Sequence, residues 1–317
     1  MRLGPRRSVP GHPSALTRAP MFIRLSKPIA GLVLLVIFGG LSGCSPRLML
    51  INQAADVWAT QSQEQEEDLG LAREASAFYL KASESLLRQT PGHLPLAQSV
   101  ASGLTQYAYA FVAFEAERLH GADPKAARQL NERARRLYWR AHRHAMTALS
   151  RANPDLLAIL KQPRPNQKVS LSTEQVGLAY WAAASWGAFI ALSKDDPEAV
   201  ADLPVAVRLA ELAWQTSPGF GNGALASLMG QFEAARPGGL KAKARQYFDQ
   251  AIEMGAGAQA GPYVAKAEAI ALADGDRPAF ETLLRQALAA SDKRTDLDNQ
   301  IMRQRAQWLL DSADELF

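Results

Sequence analysis

The 317-residue sequence contains one cysteine, Cys44, and only five histidines. A single cysteine cannot form an internal disulfide, and so few histidines rarely supply the three or four ligands of a zinc site. The glycine-rich run 219–223 lacks the preceding strand and the following Lys-Ser/Thr of a phosphate loop. The chain also lacks a Gly-x-Ser-x-Gly elbow, and no pair of acids is singled out. We therefore expect no enzyme activity, no metal and no cofactor.

Long apolar runs are rare, and the one near the N-terminus is too short to cross a membrane. It extends from Ile29 to Phe38, whereas a membrane helix needs about 20 apolar residues. Arg24 and Lys27 precede this run, and small residues follow it. This order is typical of a secretory signal peptide, which we predict over residues 1–43. Its functional part is residues 21–43, and we interpret residues 1–20 as a start placed too early.

The segment Leu41-Ser42-Gly43-Cys44 resembles the lipobox of bacterial lipoproteins. In that family the cysteine thiol carries diacylglycerol through a thioether, and cleavage makes the cysteine the new N-terminus. We predict that Cys44 is the lipid attachment site, because its acyl chains would anchor the protein stably. Residues 44–65 would be the lipidated N-terminus and tether. Ser45 after the cysteine, rather than aspartate, favours the outer membrane.

Acidic residues are missing from the first 43 residues, which hold six basic ones. The whole chain has 35 Lys and Arg against 31 Asp and Glu, and removal of the predicted signal segment leaves 29 against 31. The net charge of +4 therefore belongs to that segment. We expect no nucleic-acid partner, because the remaining chain carries no overall positive charge.

Alternating strand patterns are absent as well, and apolar residues recur at helical spacing from about residue 66 onward. Good helix formers dominate, and turn signals such as 219–223 divide the chain into roughly ten to twelve helices with short loops. We predict a single all-α domain over residues 66–317. The i, i+3, i+4, i+7, i+8 pattern is met, for example, by Ala244, Tyr247, Phe248, Ala251 and Ile252.

Four segments carry three small or apolar residues at spacings of four and three, and in three of them the middle residue is large. In tetratricopeptide repeats (TPR), small side chains lie where two antiparallel helices nearly touch, and the larger one fills the gap. The four triplets start 72, 38 and 36 residues apart, near multiples of the 34-residue repeat. They are Ala134/Tyr138/Ala141, Ala206/Ala210/Ala213 with Pro218, Ala244/Phe248/Ala251 and, more loosely, Phe280/Leu284/Ala287. We predict antiparallel helix pairs stacked as a degenerate TPR-like array, with a non-repeating bundle as the alternative.

Two predicted helices are apolar on all sides. The run Val176–Leu192 contains no charge, and Leu104–Phe114 is rich in aromatics. Tyr107, Phe111 and Phe114 are expected on one face of the second helix, and Tyr109 on another. These helices are either the filled centre of a core or the wall of an apolar pocket or channel. The candidate pocket residues are Tyr107, Phe111, Phe114, Tyr180, Trp181 and Trp186.

The polar residues near these helices do not form a pattern that indicates one particular function. Glu115 and Glu117 are either polar groups of the pocket or the point where the helix returns to solvent. His142 and His144 lie two residues apart on a helix and therefore point in different directions. We expect these histidines to face solvent rather than share a metal.

The C-terminal third contains motifs similar to those of the TatT component family of TRAP-associated lipoproteins. The lipobox, the cryptic repeats and the segment 107–116 are similar to that family too. The resemblance covers most of the chain from about residue 70, and its motifs are turns and helix ends. They are Glu233-Ala-Ala-Arg-Pro-Gly-Gly239, 244–251, Gly261-Pro-Tyr-Val264, Asp276-Arg277, Phe280, Leu283-Leu284, Gln304-Arg305-Ala306, Trp308-Leu-Leu310 and the acidic end 311–317.

The resemblance implies a periplasmic, lipid-anchored helical protein. It would dock the solute-binding P component of a tripartite ATP-independent periplasmic (TRAP) transporter and bind or pass a hydrophobic solute. The alternative is a structural scaffold in cell-envelope assembly, which predicts a filled core instead of a cavity. The sequence leaves open the solute and whether the chain forms homo-oligomers.

Overall fold

A computed structural model of the protein describes residues 46–59, 68–164 and 169–317. Within these ranges the chain forms helices and no strands, so the predicted all-α class is confirmed. Cys44 and the predicted signal segment lie outside the described residues. No described helix combines the length and the apolarity needed to cross a bilayer.

The first half of the described chain forms seven α-helices, and polar side chains cap several of them. Asp68 accepts hydrogen bonds from the backbone N–H groups of Gly70 and Leu71, and Asp123 precedes Pro124 as the sequence predicts. Such caps satisfy N–H groups that have no partner in the first turn. The helices are α1 (Pro46–Ala59), α2 (Leu69–Leu87), α3 (Leu94–Ala108), α4 (Phe114–Leu119), α5 (Pro124–Ala152), α6 (Leu156–Lys161) and α7 (Thr173–Ala191).

The second half forms eight more α-helices within the described residues. Several are only one or two turns long, which is why the count exceeds the ten to twelve that the periodicity predicts. They are α8 (Pro197–Ala201), α9 (Leu203–Thr216), α10 (Ala224–Ala235), α11 (Lys241–Met254), α12 (Ala260–Lys266), α13 (Arg277–Ser291), α14 (Leu297–Asp311) and α15 (Ala313–Leu316).

Within the described ranges, two segments are π-helical rather than α-helical. Tyr109–Ala113 joins α3 to α4, and Ala267–Ala271 follows α12. A π turn contains one residue more than an α turn, so side chains after it point in a different direction from those that α periodicity predicts. Both segments lie beside the cavity described below.

Neighbouring helices pack on one another in chain order, which gives a stacked arrangement. Contacts run from α2 to α3, then to α5, α7, α9, α10 and α11, while α12, α13 and α14 pack together. All twelve residues of the four predicted triplets are buried, on α5, α9, α11 and α13. The stacking of helices is confirmed, and its assignment to the TPR class stays a prediction.

Glycine allows close approaches in this stack, and two of them involve α11. A Cβ on Gly230 of α10 would lie 2.9 Å from the ring of Phe248 on α11, so a larger residue would separate these helices. Gly223 has a φ of +106°, and its Cβ would lie 2.4 Å from the carbonyl oxygen of Ala251. The run 219–223 is therefore the helix-to-helix turn that the sequence predicts, with three consecutive left-handed residues.

Candidate functional site

A cavity of about 2120 Å³ lies between helices from both halves of the chain. Its wall includes residues of α2, α3, α7, α10, α12 and α14 and of both π segments. Ordinary small-molecule pockets measure roughly 300–1,000 Å³. The space therefore suits a large or extended molecule better than a small metabolite.

Aromatic side chains from α3, its π segment and α7 form one side of the wall. Tyr107 and Phe111 meet edge to face with ring centroids 5.5 Å apart. Tyr180 and Trp181 meet in the same way at 4.8 Å. Tyr109 joins this wall as well. Edge-to-face pairs hold rings in defined positions and leave their apolar surface toward the cavity.

The structure brings four of the six predicted pocket residues to this wall: Tyr107, Phe111, Tyr180 and Trp181. Phe114 and Trp186 lie outside it. Because the π turn separates Phe114 from Tyr107 and Phe111, Phe114 packs against Trp308 at 5.5 Å. The same turn brings Tyr109 to the wall, although α periodicity places it on another face. Trp186 is 2% exposed in the main core.

The wall also carries polar groups, which the apolar sequence pattern of α3 and α7 does not predict. Gln98, Ser99 and Ser102 of α3 line it, as do Glu268 and Asp298. An amphipathic molecule would therefore find both apolar surface and hydrogen-bond partners here.

A buried arginine is the electrostatic centre of the wall. Arg305 of α14 is 6% exposed. Its Nη2 donates to Glu117 at 2.9 Å and to Glu268 at 2.6 Å, and its Nε donates to Glu268 at 3.1 Å. The guanidinium also lies 5.5 Å from the ring centroid of Tyr109 and 5.4 Å from that of Phe114. We call these five residues the Arg305 cluster.

The Arg305 cluster is electrostatically coupled. Burial disfavours the charge of Arg305, but Tyr109 and the two carboxylates hold its pKa above the ordinary value. Burial raises the pKa of Glu117, although Arg305 opposes this shift. Nη1 of Arg305 has no hydrogen-bond partner among the described residues, and the two rings instead provide cation–π contacts.

Contacts around this cluster join the last long helix to the first third of the chain. Gln106 donates to Asp298 at 3.0 Å, and the hydroxyl of Tyr109 lies 3.9 Å from the sulfur of Met302. Together with the Arg305–Glu117 pair, these contacts form what we call the seam. Because the other helices pack in chain order, the seam closes the path of packed helices around the cavity.

Sequence reasoning missed the Arg305 cluster because its partners lie up to 188 residues apart. One weak signal was available. Ile301, Arg305 and Leu309 recur every four residues on α14, and all three are buried. An arginine at a core position of an amphipathic helix indicates a buried ion pair.

The histidines occupy two different environments. His142 is buried between Trp139 and Trp186, with ring centroids at 5.1 and 4.2 Å, so the expectation that it faces solvent is wrong. Its Nδ1 lies 3.1 Å from the carbonyl oxygen of Ala182 and donates to it, and burial lowers its pKa to about 4. It lies on the inner face of α5, one residue after Ala141 of the predicted triplet.

His144 contacts Glu84, a carboxylate that is 1% exposed, at 2.8 Å. Arg140 also pairs with Glu84. Burial opposes the charge of this carboxylate, but His144 and Arg140 lower its pKa to about 2. Among the described residues, no group of three or more His, Cys, Asp or Glu is placed to hold a metal ion.

The fold and this site define an all-helical protein whose stacked helices border a large cavity with aromatic side chains on one side of its wall. The chain belongs to the TRAP transporter T-component family, whose sequence model matches residues 65–317. A Treponema pallidum (strain Nichols) protein described as uncharacterized is 27% identical over 263 residues, which is 80% of this chain and 81% of that protein. The TatT resemblance is confirmed, and the family is a class of transporter accessory components.

Proposed function

We propose that this accessory component binds or passes a hydrophobic solute through its cavity and docks the solute-binding P component of a TRAP transporter. The observation that carries the proposal is the size of the cavity together with its aromatic wall. Apolar surface removed from water contributes about 25 cal/mol per Å². An extended apolar molecule along Tyr107, Tyr180 and Trp181 would therefore bind without a strong polar contact.

The family and the predicted anchor support a location in the cell envelope. TRAP accessory components belong to the cell envelope, and Cys44 would attach the chain to the periplasmic face of a membrane, with the outer membrane favoured by Ser45. The scaffold alternative requires a filled space between Tyr107 and Trp181. The cavity between these residues supports solute binding over that alternative.

Filling the cavity tests solute binding. Purified full-length protein is titrated with the neutral dye N-phenyl-1-naphthylamine and extracted for co-purifying lipid. Ala184→Trp and Ala188→Trp add bulk on the cavity wall, whereas Ala75→Trp adds the same bulk on an exposed face of α2. We expect both wall variants to lose dye binding at least tenfold, about 1.4 kcal/mol, and Ala75→Trp to bind normally. If all three variants bind the dye equally and no lipid is extracted, the result would support the scaffold alternative instead.

Docking has a separate test. Photo-crosslinking in cells, followed by mass spectrometry, should recover a periplasmic solute-binding protein with the wild type and with the wall variants. Recovery of envelope-assembly proteins alone would contradict the docking proposal. It would not change the conclusion about solute binding, which depends on the dye titration.

A further inference from the structure

Helix α5 has the most one-sided charge distribution of the described helices. It contains eight Lys and Arg residues and a single acid, Glu132, although the chain after the predicted signal segment has slightly more acids than bases. The acids nearest in sequence, Asp123 and Asp155, lie beyond its two ends, and Asp123 serves as its N-cap. The basic residues are Lys125, Arg128, Arg133, Arg135, Arg136, Arg140, Arg143 and Arg151.

Five of these residues share the exposed face of the helix with Glu132, Trp139 and Thr147, at intervals of three or four residues. We call the set Lys125, Arg128, Arg136, Trp139, Arg143 and Arg151 the basic stripe. Residues at this spacing lie on one side of an α-helix. At 1.5 Å per residue, the stripe extends for about 40 Å along the helix axis.

Most charges of the stripe have no counterion among the residues that the structure describes. Nη1 of Arg136 lies 3.8 Å from Oε2 of Glu132, so this pair is an exception. In the part of the chain that the structure describes, Lys125, Arg128, Arg143 and Arg151 make no ion pair. The neighbouring Arg140 differs, because it turns inward to the buried Glu84. Four unpaired cations on one face attract an extended anionic surface.

An exposed tryptophan lies in the middle of the stripe. Trp139 is 37% exposed and is held in place by His142 on one side and by Phe189, 4.8 Å away. Beside it, Arg143, Thr147 and Arg151 line a shallow depression of about 660 Å³. Tryptophan between basic residues is typical of a surface at the level of phospholipid headgroups, and the depression can hold a phosphate with its glycerol.

We propose that the basic stripe binds the anionic phospholipid headgroups of the membrane. A bilayer presents phosphates in every direction along its surface, which matches the length of the stripe. A protein partner would need carboxylates along the same 40 Å or so. Each basic residue near an anionic bilayer contributes about 1 kcal/mol, so the stripe orients a protein that a lipid anchor already holds nearby. Only Tyr138 of α5 lines the cavity, so the inference stands apart from the proposed solute.

Energy transfer from a dye on α5 to dyes on lipid headgroups tests this orientation. Full-length protein labelled at Thr147→Cys, on the stripe, is compared with protein labelled at Gln307→Cys, on the exposed face of α14. Vesicles contain phosphatidylcholine alone or with phosphatidylglycerol. We expect phosphatidylglycerol to increase transfer from position 147 roughly twofold and 0.5 M NaCl to abolish the increase, because salt screens exposed charges. Transfer from position 307 should not rise.

Charge reversal identifies the residues that cause the response to phosphatidylglycerol. Arg136→Glu with Arg143→Glu should abolish the response to phosphatidylglycerol at position 147. The control pair Arg73→Glu with Arg303→Glu changes the net charge equally on α2 and α14 and should retain it. The proposal is overturned if phosphatidylglycerol has no effect at position 147, or if both pairs respond alike. Crosslinks from position 147 to an acidic protein, without a lipid response, would assign the stripe to a protein partner.

Discussion

The packing of α5 against α7 and the seam at α14 join helices in two different ways. Around α5 and α7 the contact is made by alanine, leucine and aromatic side chains, such as Ala145, Leu178 and Trp186. At the seam the contacts are Arg305 with Glu117, the side-chain amide of Gln106 with Asp298, and the hydroxyl of Tyr109 with the sulfur of Met302. One is a continuous apolar core, and the other is a set of polar pairs beside a cavity.

This difference determines where the closed path of helices can open. Separating α5 from α7 exposes apolar surface to water at about 25 cal/mol per Å². Separating the seam exposes charged groups, which water solvates, so much of the lost interaction is recovered. We expect the core to persist as a unit and any opening of the cavity to occur at the seam.

The largest effect is expected in the apolar core. Trp186→Ala removes a fully buried side chain and should lower the free energy of unfolding by about 3–5 kcal/mol. Trp139→Ala removes the same side chain from a partly exposed position on α5 and should cost about 1 kcal/mol. Urea denaturation measures both. Similar losses in the two variants would mean that the contact of α5 with α7 is not the closely packed core described here.

The next largest effect on the free energy of unfolding depends on pH and arises from His142, which lies in the same core. Burial lowers the pKa of His142 to about 4, whereas the unfolded chain binds its proton near 6.5. Between these values the unfolded state holds more protons, so stability falls as the pH falls. The loss from this residue approaches about 3 kcal/mol at pH 4.

Replacing the histidine isolates its contribution. The variant His142→Phe keeps a ring between the tryptophans and should lose less stability than wild type between pH 6.5 and 4.5. Glu84 provides an internal reference, because its pKa of about 2 makes its stabilising charge disappear only below pH 4.5. Parallel stability curves for wild type and variant above pH 4.5 would show that His142 is accessible to solvent.

The smallest effect is expected at the seam, but it should be local. Arg305→Met leaves Glu117 and Glu268 without their shared cation and should cost about 2 kcal/mol, since Glu117 is partly exposed. Hydrogen exchange should accelerate in α14 and in the π segment 109–113, while α5 and α7 exchange as in wild type. Arg285→Met, which removes an exposed arginine paired with Glu281, is the control and should change neither region. Uniform acceleration across the chain would show that the seam and the core open together.

The parts of the fold that depend on local pattern were predictable. The four triplets are buried as expected, because residues spaced by three and four share a helix face in any α-helix. Tyr180, Trp181, Tyr107 and Phe111 line the same cavity, and the proposed pocket set stays a prediction, whereas the positions of Phe114 and Tyr109 depend on a π turn. Simple periodicity contains no signal for that extra residue.

The helical class, the lack of an internal disulfide, the family and the helix faces that pack could all be inferred from the sequence. These properties depend on composition and on neighbours within about two turns, or on motifs read directly along the chain. The return of α14 to the first third of the chain, the pairing of Arg305 with Glu117 across 188 residues and the presence of the cavity are visible in the folded structure alone. Such contacts depend on the summed geometry of every helix between them, which no local pattern records.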